Sequence, residues 1–201
     1  MKLTGKTAIV TGGGRDIGQA AALKLASEGA RVAINYYSSS DGADAAVAQI
    51  KATGGQAFAL KGDLTKQADV EALVSQTVSE FSSIDVLINN AGGLIARKTI
   101  AEMPLEHWTA VMDLNLTSTF LMIKACLTHI ITGTIVNLAS LDGRDGGGPG
   151  AVAYATSKGA VMTMTRALGK ELGPDIRVNA LCPGMIDTDF HNVHTPDAGR
   201  R

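Results

Sequence analysis

The chain has 201 residues, 45% apolar and 18% charged, with a formal net charge of -1. That balance excludes a disordered chain, offers no basic field for nucleic acid or a membrane surface, and supports one domain with a substantial core. With 23 glycines and only 4% aromatics, it suits an α/β protein with Ala/Val/Ile-rich strands and tight turns.

The N-terminal Lys2-Leu3-Thr4-Gly5-Lys6 runs straight into a strand and lacks the apolar stretch of a signal peptide. Thr7 to Val10 reads as that first strand, closed by Thr11 and three glycines, and Ile17 to Glu28 as a helix that Gly29 terminates. Arg31 to Tyr36 is the second strand, followed by a helix over Asp41 to Thr53 with Asp41 at its cap. Ala57 to Leu60 is a strand, Lys66 to Phe81 a helix, and Asp85 to Asn89 a strand whose first residue reads as structural. A long helix is expected from Pro104 to about Ile131; Asp113, Asn115 and Lys124 make it buried and amphipathic rather than membrane-spanning. Thr134 to Leu138 is a strand, Gly143 to Gly150 a loop, Val152 to Leu172 a helix and Arg177 to Leu181 a strand.

Each strand is a continuous apolar run, as parallel strands covered on both faces require. The alternation predicts a doubly wound parallel sheet, a three-layer αβα Rossmann fold forming a single domain over residues 1–201. Cys126 and Cys182 read as two buried reduced thiols, which fits a cytoplasmic setting. Asp189, His191 and His194 read as polar surface rather than a metal site, and no metal is expected. His107-Trp108 and the Met162, Met164 pair read as packing features.

Two regions carry chemistry. Thr11 to Gly18 stands where the first strand meets the first helix, so a pyrophosphate would meet free backbone N–H groups and the positive end of the helix dipole. Gly12 permits the tight turn and Gly18 the close helix packing. An NAD-selective fold places a carboxylate roughly 20 residues further on. Here the second strand ends Asn35-Tyr36-Tyr37-Ser38-Ser39-Ser40, with no carboxylate before Asp41. Hydroxyls, an amide and Arg15 favour NADP(H), with NAD(H) the alternative. Tyr154 and Lys158, four apart on one helix, follow Ser140 by fourteen residues. A nearby cation is expected to lower the phenol pKa towards the range of a general acid or base.

Thr11-Gly12-x-x-x-x-x-Gly18, Asn89-Asn90-Ala91-Gly92, Asn115, Ser140, Tyr154-x-x-x-Lys158 and Pro183-Gly184, in this order, resemble the short-chain dehydrogenase/reductase family of the classical type. The resemblance implies hydride transfer between a nicotinamide cofactor and a ketone or secondary alcohol. It implies Tyr154 as proton donor and acceptor, Ser140 as partner of the carbonyl oxygen, Lys158 on the nicotinamide ribose, and Asn115 holding a water beside Lys158. For the cofactor, Gly12, Ile17 and Gly18 stand at the pyrophosphate turn, and Arg15, with Asn35 and Tyr36 at the strand end, at the adenosine ribose. The resemblance further implies Asp63 and Leu64 at adenine, Asn90, Ala91 and Gly92 beneath the adenosine half, and Pro183, Gly184, Ile186 and Thr188 at the carboxamide. Within the family the chain looks most like 3-oxoacyl-thioester reductases, then sugar or polyol dehydrogenases; a non-catalytic dinucleotide sensor is the rival. A homo-tetramer or dimer is implied, acting on a small carbonyl or alcohol substrate. Two departures stand out: Asp16 where the family has glycine, and no further helix and seventh strand after Thr188.

Overall fold

The computed structural model describes residues 1–188; the expectation for Asp189, His191 and His194 lies outside them. Six parallel strands form one sheet in the order β3-β2-β1-β4-β5-β6. They are β1 (Thr7–Val10), β2 (Arg31–Tyr36), β3 (Ala57–Lys61), β4 (Val86–Asn89), β5 (Gly133–Leu138) and β6 (Ile176–Leu181). The order reverses between β1 and β4, which pair through Ala8–Val86 to Val10–Ile88. A doubly wound sheet opens a crevice at the carboxyl ends of such strands.

Alternate side chains of each strand enter opposite cores. Ala8, Val10, Val32 and Ile34 pack with Ala22 of α1 (Asp16–Ser27) and with Ala43, Ala46 and Ile50 of α2 (Ser40–Ala52). Ile9, Ala33, Leu87 and Ile135 pack on the other face with Val70 and Leu73 of α3 (Gln67–Phe81) and Met122 of α5 (Ser118–Cys126). Small alanines on α1 and α2 bring those helices close to the sheet. Asp85 stands at the start of β4 as a structural residue, accepting from the Thr7 N–H at 2.9 Å and Lys6 Nζ at 2.8 Å.

Several boundaries differ from expectation. Helix α2 begins at Ser40, so Asp41 sits in the first turn and not at the cap. The long helix is interrupted: α4 (Leu105–Met112) passes through a π-helical turn (Asp113–Thr117) into α5 and stops at Cys126. Apolar periodicity does not register that wider turn, because it inserts without breaking the buried face. Part of the expected glycine loop is a helical turn, α6 (Asp142–Asp145), leading to α7 (Val152–Glu171). Both cysteines are free, but Cys182 is half-buried rather than buried. Among the described residues no helix is long and apolar enough to cross a membrane.

Candidate active site

At the carboxyl ends of the strands lies a cavity of about 510 Å³. One wall is the turn after β1. Gly12 adopts φ +60°, and a Cβ there would come within 3.1 Å of the Ala91 Cα. A side chain at Gly18 would run into the Gly12 carbonyl and the Asn90 amide. Thr11 Oγ1 accepts from the N–H groups of Asn90 and Ala91, both at 2.9 Å, and Asn90 Nδ2 donates to the carbonyls of Thr11 and Gly12 at 3.0 Å. Thr11 and Asn90 thus rivet the ends of β1 and β4 together. Helix α1 starts on this wall without a side-chain cap. Its first-turn N–H groups are the kind that bind phosphate. Glycine-shaped space beside an uncapped helix fits the pyrophosphate of a dinucleotide.

Asp16, where a glycine is expected from the resemblance, takes φ +49°. Aspartate tolerates this left-handed region better than most residues. Its carboxylate lies 3.8 Å from the Arg15 guanidinium, which is itself more than half exposed.

Gly12, Arg15, Ile17, Gly18, Asn90, Ala91, Gly92, Ser140, Tyr154, Lys158, Pro183, Gly184, Ile186 and Thr188 all line the cavity. Five expected residues do not. Asn35 is buried and its amide donates to the Gly62 carbonyl at 3.1 Å, bracing β2 against the end of β3. Tyr36 packs against the α1/α2 core. Tyr37, Ser38 and Ser39 line the cavity in their place. They offer hydroxyls beside Arg15, with no carboxylate on the strand end, which fits a ribose phosphate. The strand is covered up to Tyr36, so of the expected run of hydroxyls it is Tyr37, Ser38 and Ser39 that reach the cavity. Asp63 accepts from the N–H and hydroxyl of Thr65 at 3.0 and 2.7 Å, shaping the entry to α3. Leu64 is buried in the core.

Asn115 lies wholly buried in the π-helical turn. Its Nδ2 donates to the carbonyls of Gly93 and Val111 at 2.8 and 2.9 Å, and its Oδ1 accepts from the Gly93 N–H at 2.9 Å. The side chain is therefore spent on backbone, tying the loop after β4 to the helix. A Cβ on Gly92 would fall 2.6 Å from Asn115 Oδ1 and 3.0 Å from Lys158 Nζ, so these two groups converge over a position that admits only glycine.

Ser140 and Tyr154 meet: their hydroxyls are hydrogen-bonded. Ser140 Oγ also accepts from the Asp142 N–H at 3.1 Å, which leaves its own hydrogen for an oxygen in front of it. Lys158 Nζ stands 5.8 Å from the Tyr154 ring centroid and donates to the Leu138 carbonyl at 2.6 Å. The ammonium is buried, and that desolvation pulls its pKa down to about 8. The phenol moves opposite to the expected direction: burial pushes the Tyr154 pKa up, with the Asp142 charge adding to the rise and the Ser140 hydrogen bond opposing it. Lys158 lies beside the ring and donates to the Leu138 carbonyl, and desolvation of the phenol sets the direction of the shift.

The sequence matches the family model described as short chain dehydrogenase over residues 6–198. It is 44% identical over 193 residues to a 3-oxoacyl-[acyl-carrier-protein] reductase of Synechocystis sp., covering 94% of this chain and 77% of that protein. It is 40% identical over 198 residues to glucose 1-dehydrogenase 2 of Bacillus subtilis, covering 96% and 76%. The structure of a short chain dehydrogenase from Burkholderia cenocepacia in complex with NADP superposes with a TM-score of 0.91 at 36% identity, covering 94% and 78%.

Proposed function

Since the chain belongs to the short-chain dehydrogenase family, we propose that Tyr154, Ser140, Lys158 and Asn115 carry a ketone–alcohol interconversion at this cavity. The protein is an NADP(H)-dependent oxidoreductase acting on CH–OH groups. The observation that carries the site assignment is the hydrogen-bonded Ser140–Tyr154 pair at the carboxyl-end crevice, with Lys158 beneath it.

NADPH, when bound, supplies the hydride that reaches the carbonyl carbon. Gly12, Ile17 and Gly18 receive its pyrophosphate, Arg15 with Tyr37, Ser38 and Ser39 its 2′-phosphate, and Pro183, Gly184, Ile186 and Thr188 its carboxamide end. The chain's own work is proton transfer and charge stabilisation. Ser140 donates its hydroxyl hydrogen to the substrate carbonyl oxygen and stabilises the charge that gathers there. Burial keeps the Tyr154 phenol protonated at neutral pH, so it serves as the acid: its O–H bond breaks as the new alcohol O–H forms. The resulting phenolate lies beside Lys158, whose positive charge then becomes a stabilising neighbour. Asn115 ties the π-helical turn to the loop after β4, beside Gly92 and Lys158.

Within the family, the reductase relatives support a 3-oxoacyl-thioester-like substrate, and the glucose dehydrogenase relative supports a polyol as the second reading. The two free thiols support a cytoplasmic setting. Exposed Leu105 and Phe120 on α4 and α5, with Val152 on α7, support a homo-tetramer or dimer joined through those helices. The direct test is NADPH consumption with ketones of varied class, alongside thermal melting with and without NADPH. Turnover together with a cofactor-induced rise in Tm is expected; a rise without turnover would leave a dinucleotide sensor.

Asp16 supplies a separate prediction. A carboxylate in the turn that would hold the pyrophosphate, at a partly exposed site, would oppose binding by on the order of 1 kcal/mol. Asp16→Gly is expected to tighten NADPH binding roughly fivefold. Relief of the left-handed strain, about 1 kcal/mol, is offset by glycine's larger unfolded-state entropy, about 0.5–1 kcal/mol. The Tm without cofactor should therefore hardly move. Fluorescence titration reads the affinity, and a weaker-binding variant would mean that the carboxylate points away from the phosphates.

A further inference from the structure

We infer that Gln19 and Gly42 form a clamp that positions the site for the cofactor's 2′-phosphate, so that preference for NADPH over NADH is held by two residues outside the cavity lining. The inference rests on the placement of that phosphate beside Arg15, Ser38 and Ser39, which do line the cavity. The short span carrying the two serines leaves the sheet at Tyr36 and enters α2 at Ser40, and both its ends are fastened to the glycine turn. At the strand end, the Gly13 N–H donates to the Asn35 carbonyl at 2.8 Å. At the helix end, Gln19 Nε2 donates to the Gly42 carbonyl at 2.8 Å. The backbone N–H of the same glutamine donates to the Arg15 carbonyl at 3.0 Å. One residue thus holds both the peptide of the cation and the first turn of the helix beyond the serines. That turn reaches Ser39 directly, since the Ala43 N–H donates to the Ser39 carbonyl at 3.1 Å. Two glycines let these surfaces close. A Cβ on Gly42 would run into the Gly14 carbonyl, and one on Gly14 into the Ser39 hydroxyl and carbonyl. Gly42 has no positive φ to explain it, and alanine is the better helix former, so the close approach is its structural reason. Discrimination at this wall depends on distance. Asp16 stands in the same turn, 3.8 Å from the Arg15 guanidinium, and its charge opposes a phosphate. A serine hydroxyl displaced by about an ångström leaves hydrogen-bonding range of that phosphate, whereas NADH presents only a ribose hydroxyl there.

The test measures Kd for NADPH and for NADH by fluorescence titration of the full chain, alongside Tm without cofactor. Gln19→Met keeps the length of the side chain and removes its donor; Gly42→Ala sets a methyl group against the Gly14 carbonyl. Each should weaken NADPH binding roughly fivefold, the worth of about one hydrogen bond, while NADH binding hardly moves. The double variant should weaken it little further, because both substitutions release the same contact. Ile50→Val, near the other end of α2, trims the buried core; it should lower Tm and leave the NADPH-to-NADH affinity ratio alone, which separates the clamp from general loosening. Arg15→Ala reads the placement of the phosphate itself and should lower the ratio as well. A ratio lowered by Arg15→Ala but unchanged by both clamp variants overturns the inference and leaves the placement intact. A ratio unchanged by all three overturns both. Equal losses for NADPH and NADH in the clamp variants also overturn the inference, since they mark a distorted pyrophosphate turn, as does a ratio that Ile50→Val lowers to the same extent.

Discussion

Tyr154→Phe is expected to lower NADPH-dependent ketone reduction by roughly 10²–10⁴-fold, the usual worth of a positioned proton donor, while NADPH still binds. The phenyl ring fills the same space, and Ser140, Lys158 and the glycine-lined wall remain. What disappears is the hydrogen that Ser140 and Tyr154 share in front of the crevice. The pH dependence gives a second signature. Burial holds the phenol above its ordinary pKa, so the acid form is present throughout the neutral range and reduction needs no prior ionisation. Alcohol oxidation needs the phenolate, so its rate should climb with pH up to and beyond ~10. The variant should lose that climb as well as the rate. Stopped-flow or steady-state NADPH absorbance measures both directions. Near-parental reduction by the phenylalanine variant would remove Tyr154 from the chemistry and leave Ser140 as the only hydroxyl at the reacting centre.

Much of the architecture was legible because a parallel sheet needs apolar strands, and Thr7–Val10 and Arg31–Tyr36 form around the apolar runs Ala8–Val10 and Val32–Ile34. The glycine turn was legible for a related reason: Gly12 and Gly18 stand where any side chain would meet backbone or the Asn90 amide. Other features depend on three-dimensional detail that spacing does not contain. The π-helical turn at Asp113–Thr117 keeps the same buried face as an α-helix, so periodicity passes through it unmarked. The exchange of Asn35 and Tyr36 for Tyr37, Ser38 and Ser39 depends on how far the sheet stays covered by α1 and α2. The direction of the Tyr154 shift is set first by burial, which raises it against the opposing Ser140 hydrogen bond, and burial of one phenol is not contained in residue spacing. Asp142 illustrates the same limit, since nothing in its spacing shows that its backbone N–H donates to Ser140 Oγ.

Lys158→Met is expected to abolish efficient turnover and at the same time make the cofactor-free protein more stable at pH 7. The buried amine, with 4% of its surface exposed, has its pKa pulled from 10.5 to about 8 by desolvation. In the folded state the charged form is thus disfavoured relative to the unfolded chain by about 3 kcal/mol, at ~1.4 kcal/mol per pH unit. The sign follows from proton binding. Between about 8 and 10.5 the unfolded chain holds the proton that the folded one has released, so stability rises with pH across that window. Below it, both states are protonated and the cost is felt in full; above it, neither is. Methionine has a similar length and no charge, so it escapes the cost. It also gives up the donor to the Leu138 carbonyl, which offsets about 1–2 kcal/mol. The net gain near neutrality is about 1–2 kcal/mol, a rise in Tm of about 3–6 °C for a chain of this size. The gap between the two proteins should narrow as pH is raised from 7 to 10, because the parent regains stability while the variant has no amine to titrate. Calorimetry of both proteins without NADPH across that range provides the measurement. A variant that melts lower than the parent at pH 7, with no convergence towards pH 10, would mean that the ammonium is solvated in the folded protein and that burial does not poise it beside Tyr154.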